Sequence, residues 1–373
     1  MKVALVYDRV NKWGGAERVL LALHEIYPNA PLYTAVYNRK ETSWASVFPR
    51  VIPSFLQNFP FASKYHEAYP CLMPLAFESF NFDPFDVVIS VTSEAAKGII
   101  TKPKTLHICY CLTPTRYLWS GYFHYKDSPR YGILNPLVKP FIPLVASELR
   151  IWDRIAAERP DFYLAISENV AQRINKYYRR KAVIIYPGVD LAKWQLTKKK
   201  RGDYFLVVSR LISAKRIDLV IEAFNTLGWP LKIIGDGSEM SSLKRRAHSN
   251  IDFLGQNLTD AKLKVYYQNC RALIFPGEED FGLVSLEAQA CGTPVIGYRS
   301  GGILETIENG VTGELFYPQT KEVLIRLLKK INLQKYEPAS CRKNAERFDK
   351  EKFIVKFKQF VEDKWAQNQK LKN

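Results

Sequence analysis

The segment from Glu279 to Glu287, Glu-Asp-Phe-Gly-Leu-Val-Ser-Leu-Glu, decides the fold of this chain. It follows a short apolar run, Ala272 to Phe275, which predicts a buried strand ending at Pro276-Gly277. Residues 283–290 predict a helix directly after the turn. Open α/β sheets bind ligands beyond the carboxyl ends of their strands, so this strand, turn and helix predict a binding site.

The polar groups of this segment indicate what the site binds. Gly282 lets a ligand approach the first helical turn closely, and the free N–H groups of that turn suit a phosphate. Glu287, further along the helix, is placed to accept hydrogen bonds from a vicinal diol, and Glu279 is placed to face a polyhydroxyl group. Diol, phosphate and sugar together make a nucleotide sugar. The predicted binding residues are therefore Glu279, Glu287 and the turn between them, Phe281, Gly282, Leu283 and Val284.

Two carboxylates at this spacing also occur on ordinary solvated helix faces, so the residues between them matter. The Glu-x7-Glu spacing with Phe-Gly inside it resembles the signature of the retaining family 4 glycosyltransferases. The resemblance extends over nearly the whole chain and is strongest from Val207 to Gly313. It implies an α/β protein with the GT-B fold, in which two Rossmann-like domains face each other across a cleft.

The chain length and the order of patterns predict two domains. A chain of 373 residues is too long for one ordinary core, and strand patterns alternate with helical patterns in both halves. We expect a Rossmann-like domain at 1–187, a linker at 188–203 and a second Rossmann-like domain at 204–349. The resemblance implies that the first domain binds the acceptor and the second the nucleotide sugar. It also implies that a final helix, 350–373, completes the first domain.

Two basic residues follow the first strand of the second domain. Arg210 and Lys215 lie on either side of a strand-to-helix loop, and two fixed cations that converge on one point suit a diphosphate. The alternative is an ordinary charged surface loop. The pair resembles the Ser-Arg-x4-Lys motif of the family. That resemblance implies catalytic roles for Arg210 and Lys215, which stabilise the leaving diphosphate, and for Glu279, which orients the donor hydroxyls.

Three glycines and one arginine complete the predicted site. Gly14 and Gly15 follow the first predicted strand within a Gly-Gly-Ala-Glu-Arg sequence that recurs in the family, and Gly235 begins a Gly-x-Gly turn. Arg116 lies in a segment that resembles the His-Thr-Pro-x-Arg-Tyr-x-Trp element of O-antigen-type mannosyltransferases. We expect Arg116 to meet an acceptor or donor phosphate. Leu112 departs from this element, because the family has histidine there.

The composition excludes some classes of protein and leaves others open. The net charge of +17 is compatible with an anionic membrane surface, with nucleic acid or with a solvated basic surface, but no nucleic-acid-binding motif accompanies it. The six cysteines form no Cys-x-x-Cys pair, so we expect reduced packing residues and no metal site. No signal peptide or membrane-spanning pattern is present in the sequence. We therefore expect a cytoplasmic protein, with two alternatives open: peripheral association with the inner face of the cell membrane, or no membrane contact.

The resemblance favours one function over the alternatives. It implies a retaining α-mannosyltransferase that moves mannose from GDP-mannose to a glycan or lipid-linked acceptor without a metal cofactor. A UDP-sugar donor is the first alternative. A catalytically silent nucleotide-sugar-binding homologue is the second, because Leu112 replaces the histidine of the family.

Overall fold

The structure is a computed structural model that describes residues 1–127, 135–197, 201–256 and 258–370. The chain forms two compact units. The first contains Met1–Tyr186 and the C-terminal residues from Ile354, and the second contains Pro187–Phe353. Of the stretch 188–203, expected to be a linker, residues 198–200 lie outside the described residues, and residues 188–197 and 201–203 fall within the second unit. The side chain of Trp194 is fully buried there, and its ring contacts Tyr267.

The first unit is built on a parallel sheet with strand order β3-β2-β1-β4-β5-β6-β7. Its strands are β1 (Val3–Tyr7), β2 (Leu32–Thr34), β3 (Val51–Pro53), β4 (Val87–Thr92), β5 (Leu106–Cys111), β6 (Phe162–Ala165) and β7 (Ala182–Ile184). Its helices are α1 (Gly15–Ile26), α2 (Met73–Glu78), α3 (Tyr122–Asp127), α4 (Asn135–Val138), α5 (Ile142–Ala156) and α6 (Glu168–Tyr178). Every residue of β1, β4 and β5 is buried, as expected for central strands that helices cover on both faces.

The second unit repeats this architecture with strand order β10-β9-β8-β11-β12-β13, again all parallel. Its strands are β8 (Phe205–Val208), β9 (Leu231–Ile234), β10 (Ile251–Phe253), β11 (Leu273–Phe275), β12 (Val295–Tyr298) and β13 (Gly313–Phe316). Its helices are α7 (Ile217–Leu227), α8 (Met240–Arg246), α9 (Asp260–Asn269), α10 (Leu283–Ala290), α11 (Ile303–Thr306), α12 (Lys321–Lys330) and α13 (Pro338–Glu346). This is the strand order of a Rossmann fold, so the predicted α/β class is confirmed.

The last helix, α14 (Lys350–Lys370), begins in the second unit and continues into the first. Within the first unit its apolar face packs against the sheet. The ring of Phe357 lies edge-on to Tyr110 at 5.5 Å between centroids, and the ring of Phe360 lies edge-on to Phe162 at 6.2 Å. Aromatic pairs in this geometry add to the burial of their area, so they hold the helix to β5 and β6.

The sequence patterns did not predict every strand. β2 and β3 are three residues long and lie at one edge of the first sheet, and β13 begins at Gly313. Just before β13 the chain turns at Gly310, which has a φ of 82° and an N–H bonded to the carbonyl of Gly313. Their sequences, Leu-Tyr-Thr, Val-Ile-Pro and Gly-Glu-Leu-Phe, are interrupted by polar residues, proline or glycine, so pairing with neighbouring strands defines them.

Candidate functional site

The second sheet places its site between β8 and β11. The strand order reverses there, because β9 and β10 extend to one side of β8 and β11 to β13 to the other. Such a switch point leaves a crevice at the carboxyl ends of the strands, where doubly wound sheets bind ligands. A pocket is present at this place, and its lining joins the ends of both strands to the loops that follow. The lining residues are Val208, Ser209, Lys215, Ile274, Phe275, Pro276, Gly277 and Glu279.

Lys215 and Glu279 meet in this pocket. They are 64 residues apart in the chain, yet the ammonium of Lys215 is in direct contact with Oε1 of Glu279. Lys215 is only 7% exposed, and the side chain of Glu279 is 30% exposed. A buried ammonium needs a compensating negative charge, and the carboxylate of Glu279 supplies it. The site therefore presents a fixed cation with a carboxylate beside it.

Glycines let the loops around the pocket approach one another closely. Gly235 has a φ of +146°, and a Cβ there would lie 1.8 Å from the carbonyl oxygen of Ser209. Gly301 has a φ of +73°, and a Cβ there would lie 2.3 Å from the carbonyl oxygen of Glu279. Any side chain at either position would push the loops apart. Gly235 therefore shapes the site through its backbone, and Gly301 fixes the position of Glu279.

The turn before α10 has the geometry predicted for it. Gly282 caps the helix in the left-handed region, at a φ of 94°. Leu283 and Val284 are the first two helical residues and are half-buried. The N–H groups of a first helical turn lack acceptors within the helix, so this turn offers donors to an anion. Phe281 differs from its neighbours, because its side chain is 3% exposed and packs edge-on to Phe348. Its ring belongs to the interior of the unit.

Glu287 lies deeper than the sequence alone indicates. It is 2% exposed, on the second turn of α10, and its Oε2 accepts a hydrogen bond of 3.0 Å from the hydroxyl of Tyr267 on α9. A buried carboxylate is costly unless donors satisfy it, and Tyr267 supplies one. No sequence pattern pointed to Tyr267, because nothing local connects α9 with α10.

Arg210 has a different environment from Lys215. Its side chain is exposed, and among the residues that the structure describes its guanidinium makes no hydrogen bond or ion pair. It lies two residues beyond β8, while Lys215 ends the short helical turn Ser213–Lys215. An exposed guanidinium is free to reorient towards an anion, whereas Lys215 is held in place.

The remaining predicted residues lie in the first unit. Gly15 is the first residue of α1, and Gly14 precedes it in an extended conformation. Arg116 is half-buried in the loop after β5, where its carbonyl accepts hydrogen bonds from the N–H groups of Trp119 and Gly121. Leu112 also lies in this loop and is half-buried.

A polar network at the switch point of the first sheet was not predicted. Asp8, directly after β1, is fully buried and accepts hydrogen bonds from Thr92, Ser93 and Ala96. Burial raises the pKa of Asp8 above its ordinary value. The next residue, Arg9, pairs with Glu94 at 2.7 Å. A carboxylate shortly beyond the carboxyl end of a predicted strand is the signal that identified Glu279, so Asp8 was recognisable from the sequence.

A second network fixes the loop that carries Arg116. Lys97 and Asp153 are 0% and 1% exposed, and their charged groups lie 2.5 Å apart. Asp153, on α5, also accepts hydrogen bonds of 2.7 Å from Thr115 Oγ1 and from Trp119 Nε1. Thr115 and Trp119 are on either side of Arg116 in the chain. The buried carboxylate therefore holds both ends of this loop.

Neither a metal-binding cluster nor a membrane-spanning helix is present in the described residues. Within residues 1–127, 135–197, 201–256 and 258–370, no group of three or more histidine, cysteine, aspartate or glutamate side chains is placed to hold a metal ion. No helix in the same ranges is both long enough and apolar enough to cross a membrane.

Comparison with known proteins finds similarity to glycosyltransferases. The model of the family described as glycosyl transferases group 1 matches residues 189–348. An uncharacterised glycosyltransferase of Methanocaldococcus jannaschii is 25% identical over 223 residues, which are 57% of this chain and 63% of the relative. The N-acetyl-α-D-glucosaminyl L-malate synthase of Bacillus anthracis is 32% identical over 236 residues, which are 56% of this chain and 61% of that enzyme. The chain thus matches less than two thirds of each relative, and these matches support the glycosyltransferase superfamily.

Solved structures confirm the fold. HepE from Anabaena, in complex with UDP and glucose, superposes with a TM-score of 0.71 at 19% identity and covers 98% of this chain and 100% of its own. Sucrose-phosphate synthase from Thermosynechococcus elongatus superposes with a TM-score of 0.73 at 16% identity and the same coverage. At such low identity these similarities establish the GT-B fold.

Proposed function

We propose that this chain is a retaining glycosyltransferase that moves a sugar from a nucleotide-sugar donor to a glycan or lipid-linked acceptor. The observation that carries the proposal is the pair of Lys215 and Glu279 at the switch point of the second sheet. The first turn of α10 follows immediately and adds donors for a phosphate. A cation, a carboxylate and a helix N-terminus in one crevice match the charges of a diphosphate joined to a sugar.

The chemistry follows from what these groups stabilise. When the bond between sugar and diphosphate breaks, negative charge develops on the diphosphate, and preorganised cations lower the energy of that state. Lys215 supplies a fixed charge, and the exposed Arg210 can add two hydrogen bonds. Glu279 then orients the hydroxyl groups of the sugar, while its carboxylate compensates the charge of the buried Lys215. These roles need no metal ion, so we propose that none is required.

Two donors are candidates. The resemblance of the segment around Arg116 to O-antigen-type mannosyltransferases favours GDP-mannose. A UDP-sugar is the second candidate, because the Bacillus anthracis relative is named for an N-acetyl-α-D-glucosaminyl group and HepE was solved with UDP and glucose. A silent homologue, which binds the donor without reaction, is also an alternative, because Leu112 replaces the family's histidine.

The first unit has a surface that fits a membrane-bound acceptor. Helix α5 and the turn before it expose an apolar stripe, which we call the outer stripe, formed by Phe141, Leu144, Ile151 and Ile155 at 55 to 67% exposure. Its members recur every three, four or seven residues, so they share one helix face. Two occupants of this face can be compared, an anionic lipid surface and a second copy of the chain. The net charge of +17 attracts the lipid surface and repels a second copy, so the lipid surface is favoured. We propose peripheral association through the outer stripe.

A panel of nucleotide sugars tests the function. The protein is mixed with GDP-mannose, UDP-glucose, UDP-N-acetylglucosamine and ADP-glucose, and the melting temperature and donor hydrolysis are recorded with and without EDTA. We expect one donor to raise the melting temperature by mass action and to be hydrolysed slowly, at the same rate with EDTA. Binding without hydrolysis or transfer would identify a silent homologue. Absence of any shift would contradict the proposal, and a rate lost with EDTA and restored by Mg²⁺ or Mn²⁺ would contradict the metal-free mechanism.

A further inference from the structure

Tyr267, on α9, is fully buried between Trp194 and Glu287. Its ring packs edge-on to Trp194, with 5.5 Å between centroids, and both side chains are 0% exposed. Its carbonyl accepts hydrogen bonds from Thr293 Oγ1 at 2.5 Å and from Cys270 Sγ at 3.3 Å. Ring and backbone are therefore both held, and the direction of the phenolic hydroxyl is set by the packing.

That hydroxyl meets the carboxylate of Glu287. The donor–acceptor distance is 3.0 Å, and Glu287 is 2% exposed on the second turn of α10. A carboxylate can accept about four hydrogen bonds, and the bond from Tyr267 is made to one oxygen, Oε2. A glutamate has three side-chain torsions, and a charge-assisted bond to a fixed donor restricts them. The α9 helix thus determines where the carboxylate of α10 points.

We propose that Tyr267 is a positioning residue for ribose recognition: it orients Glu287 to accept hydrogen bonds from the 2′- and 3′-hydroxyls of the donor nucleotide. The inference rests on the proposed function, and it names the residue that makes Glu287 selective. Without the phenolic hydroxyl, Glu287 would adopt other rotamers, and the site would lose its preference for a ribose diol. Affinity for the diphosphate and the base would remain, because Lys215 and the first turn of α10 are unaffected.

The substitution Tyr267→Phe isolates this hydroxyl. It keeps the ring packed on Trp194 and keeps both hydrogen bonds to the carbonyl, since these involve the backbone. Tyr336→Phe is a matched control in the same unit, because the buried Tyr336 also donates to a carboxylate, that of Glu314 at 2.5 Å. Glu287→Gln is the reference for loss of the diol contact itself.

Calorimetric titration of the full chain with UDP, 2′-deoxy-UDP, GDP and 2′-deoxy-GDP gives the test. For the nucleotide that binds, we expect the wild type to prefer the ribose form by about tenfold, the worth of one or two hydrogen bonds to a charged group. Tyr267→Phe and Glu287→Gln should each bring this ratio close to one. The affinity for the ribose form should fall, while the affinity for the deoxyribose form should change by less than about twofold. Tyr336→Phe should keep the ratio of the wild type.

The other outcomes of the titration contradict different parts of the inference. If Tyr267→Phe keeps the preference for the ribose form and Glu287→Gln abolishes it, only the positioning role of Tyr267 is overturned. A wild type that binds ribose and deoxyribose forms equally would overturn the role of Glu287 in ribose recognition, and with it the inference. If no nucleotide binds, the proposed function fails as well. Equal weakening of both forms by Tyr267→Phe would show a structural role only and would also overturn the inference.

Discussion

Lys215 shows how much a single buried charge determines at the proposed site. Its ammonium is nearly inaccessible to water, and its contact with Glu279 is what makes burial tolerable. Water screens such a charge little, so it acts on a neighbouring diphosphate more strongly than a surface lysine would. Arg210 lies in the same loop but is exposed, so its contribution depends on reorientation when the donor binds.

We therefore expect both residues to be needed for turnover, to different degrees. Lys215→Met removes the preorganised charge and should lower kcat by about a hundredfold or more, the range found when one charge-stabilising donor is lost. Arg210→Ala should lower kcat by a similar factor and also raise KM, since its guanidinium must first be drawn to the ligand. Steady-state kinetics with the donor identified by the panel measures both effects.

A surface lysine provides the control for this prediction. Lys232→Ala removes a cation of the same unit whose partner, Asp252, is exposed, so kcat should stay within about twofold of the wild type. Near-normal turnover in both Lys215→Met and Arg210→Ala would contradict the assignment of diphosphate binding to this pocket.

At the scale of one element, α5 has two faces with different roles. Its inner face buries Ala146, Leu149 and Asp153, and its outer face carries the outer stripe. The apolar residues of this helix fit either a packed helix or a membrane-surface helix when only the sequence is considered. The structure divides them, with Leu149 inside and Leu144 and Ile151 outside. Glu148, exposed on the outer face, opposes binding to an anionic surface.

The outer face predicts how vesicle binding responds to substitution. Replacement of both Leu144 and Ile151 by Glu should abolish co-sedimentation with anionic vesicles, because it removes apolar area and adds negative charge. Glu148→Lys changes the local charge by two and should strengthen binding by about tenfold or more, at about 1 kcal/mol per charge. Val355→Glu, at an exposed position of α14, is the control and should bind as the wild type does. If the wild type binds neither anionic nor neutral vesicles, the acceptor is soluble.

The inner face predicts a stability difference. Asp153→Ala would leave the ammonium of Lys97 buried without its partner, which costs about 3–5 kcal/mol of the free energy of unfolding. Arg154→Ala breaks the neighbouring exposed pair with Glu158 and should cost less than about 1 kcal/mol. Urea unfolding followed by tryptophan fluorescence measures both. Comparable losses in the two variants would mean that the Lys97–Asp153 pair contributes little.

At the scale of the whole molecule, two buried histidines link stability to pH. Burial lowers the pKa of His107 to about 3, and burial with the nearby Arg9 lowers that of His66 to about 3. The unfolded chain takes up a proton at each histidine near pH 6.5, while the folded chain does not. The free energy of unfolding therefore falls as the pH drops below 6.5, by up to about 1.4 kcal/mol per pH unit for each histidine.

Calorimetric melting between pH 7.5 and 5.5 measures this dependence. His107→Gln keeps a partner for Ser90, which lies 2.8 Å from Nε2 of the ring, and removes one of the two proton-uptake sites. We expect the slope of the melting temperature with pH to fall by about half in this variant. An unchanged slope would place the pH dependence elsewhere in the chain.

The sequence by itself determined the class of the fold and most of the local geometry of the site. Apolar runs followed by helical patterns define β8, β11 and α10. Hydrophobic periodicity and turn-forming residues are local features, so consecutive residues are enough to recognise them. Gly282 and Gly235 adopt the backbone conformations that only glycine takes easily, so a local pattern was sufficient to locate them. The superfamily was likewise recognisable from short motifs, and the matches to known proteins support it.

Only the tertiary structure decided which side chains meet. The contact of Lys215 with Glu279 and that of Tyr267 with Glu287 depend on the order of strands and on helix packing, and no local pattern encodes either. The inward ring of Phe281 and the division of α5 into two faces have the same origin. Periodicity fixes which residues share a face of an element, but burial of one face depends on what covers it, and that is a property of the whole fold.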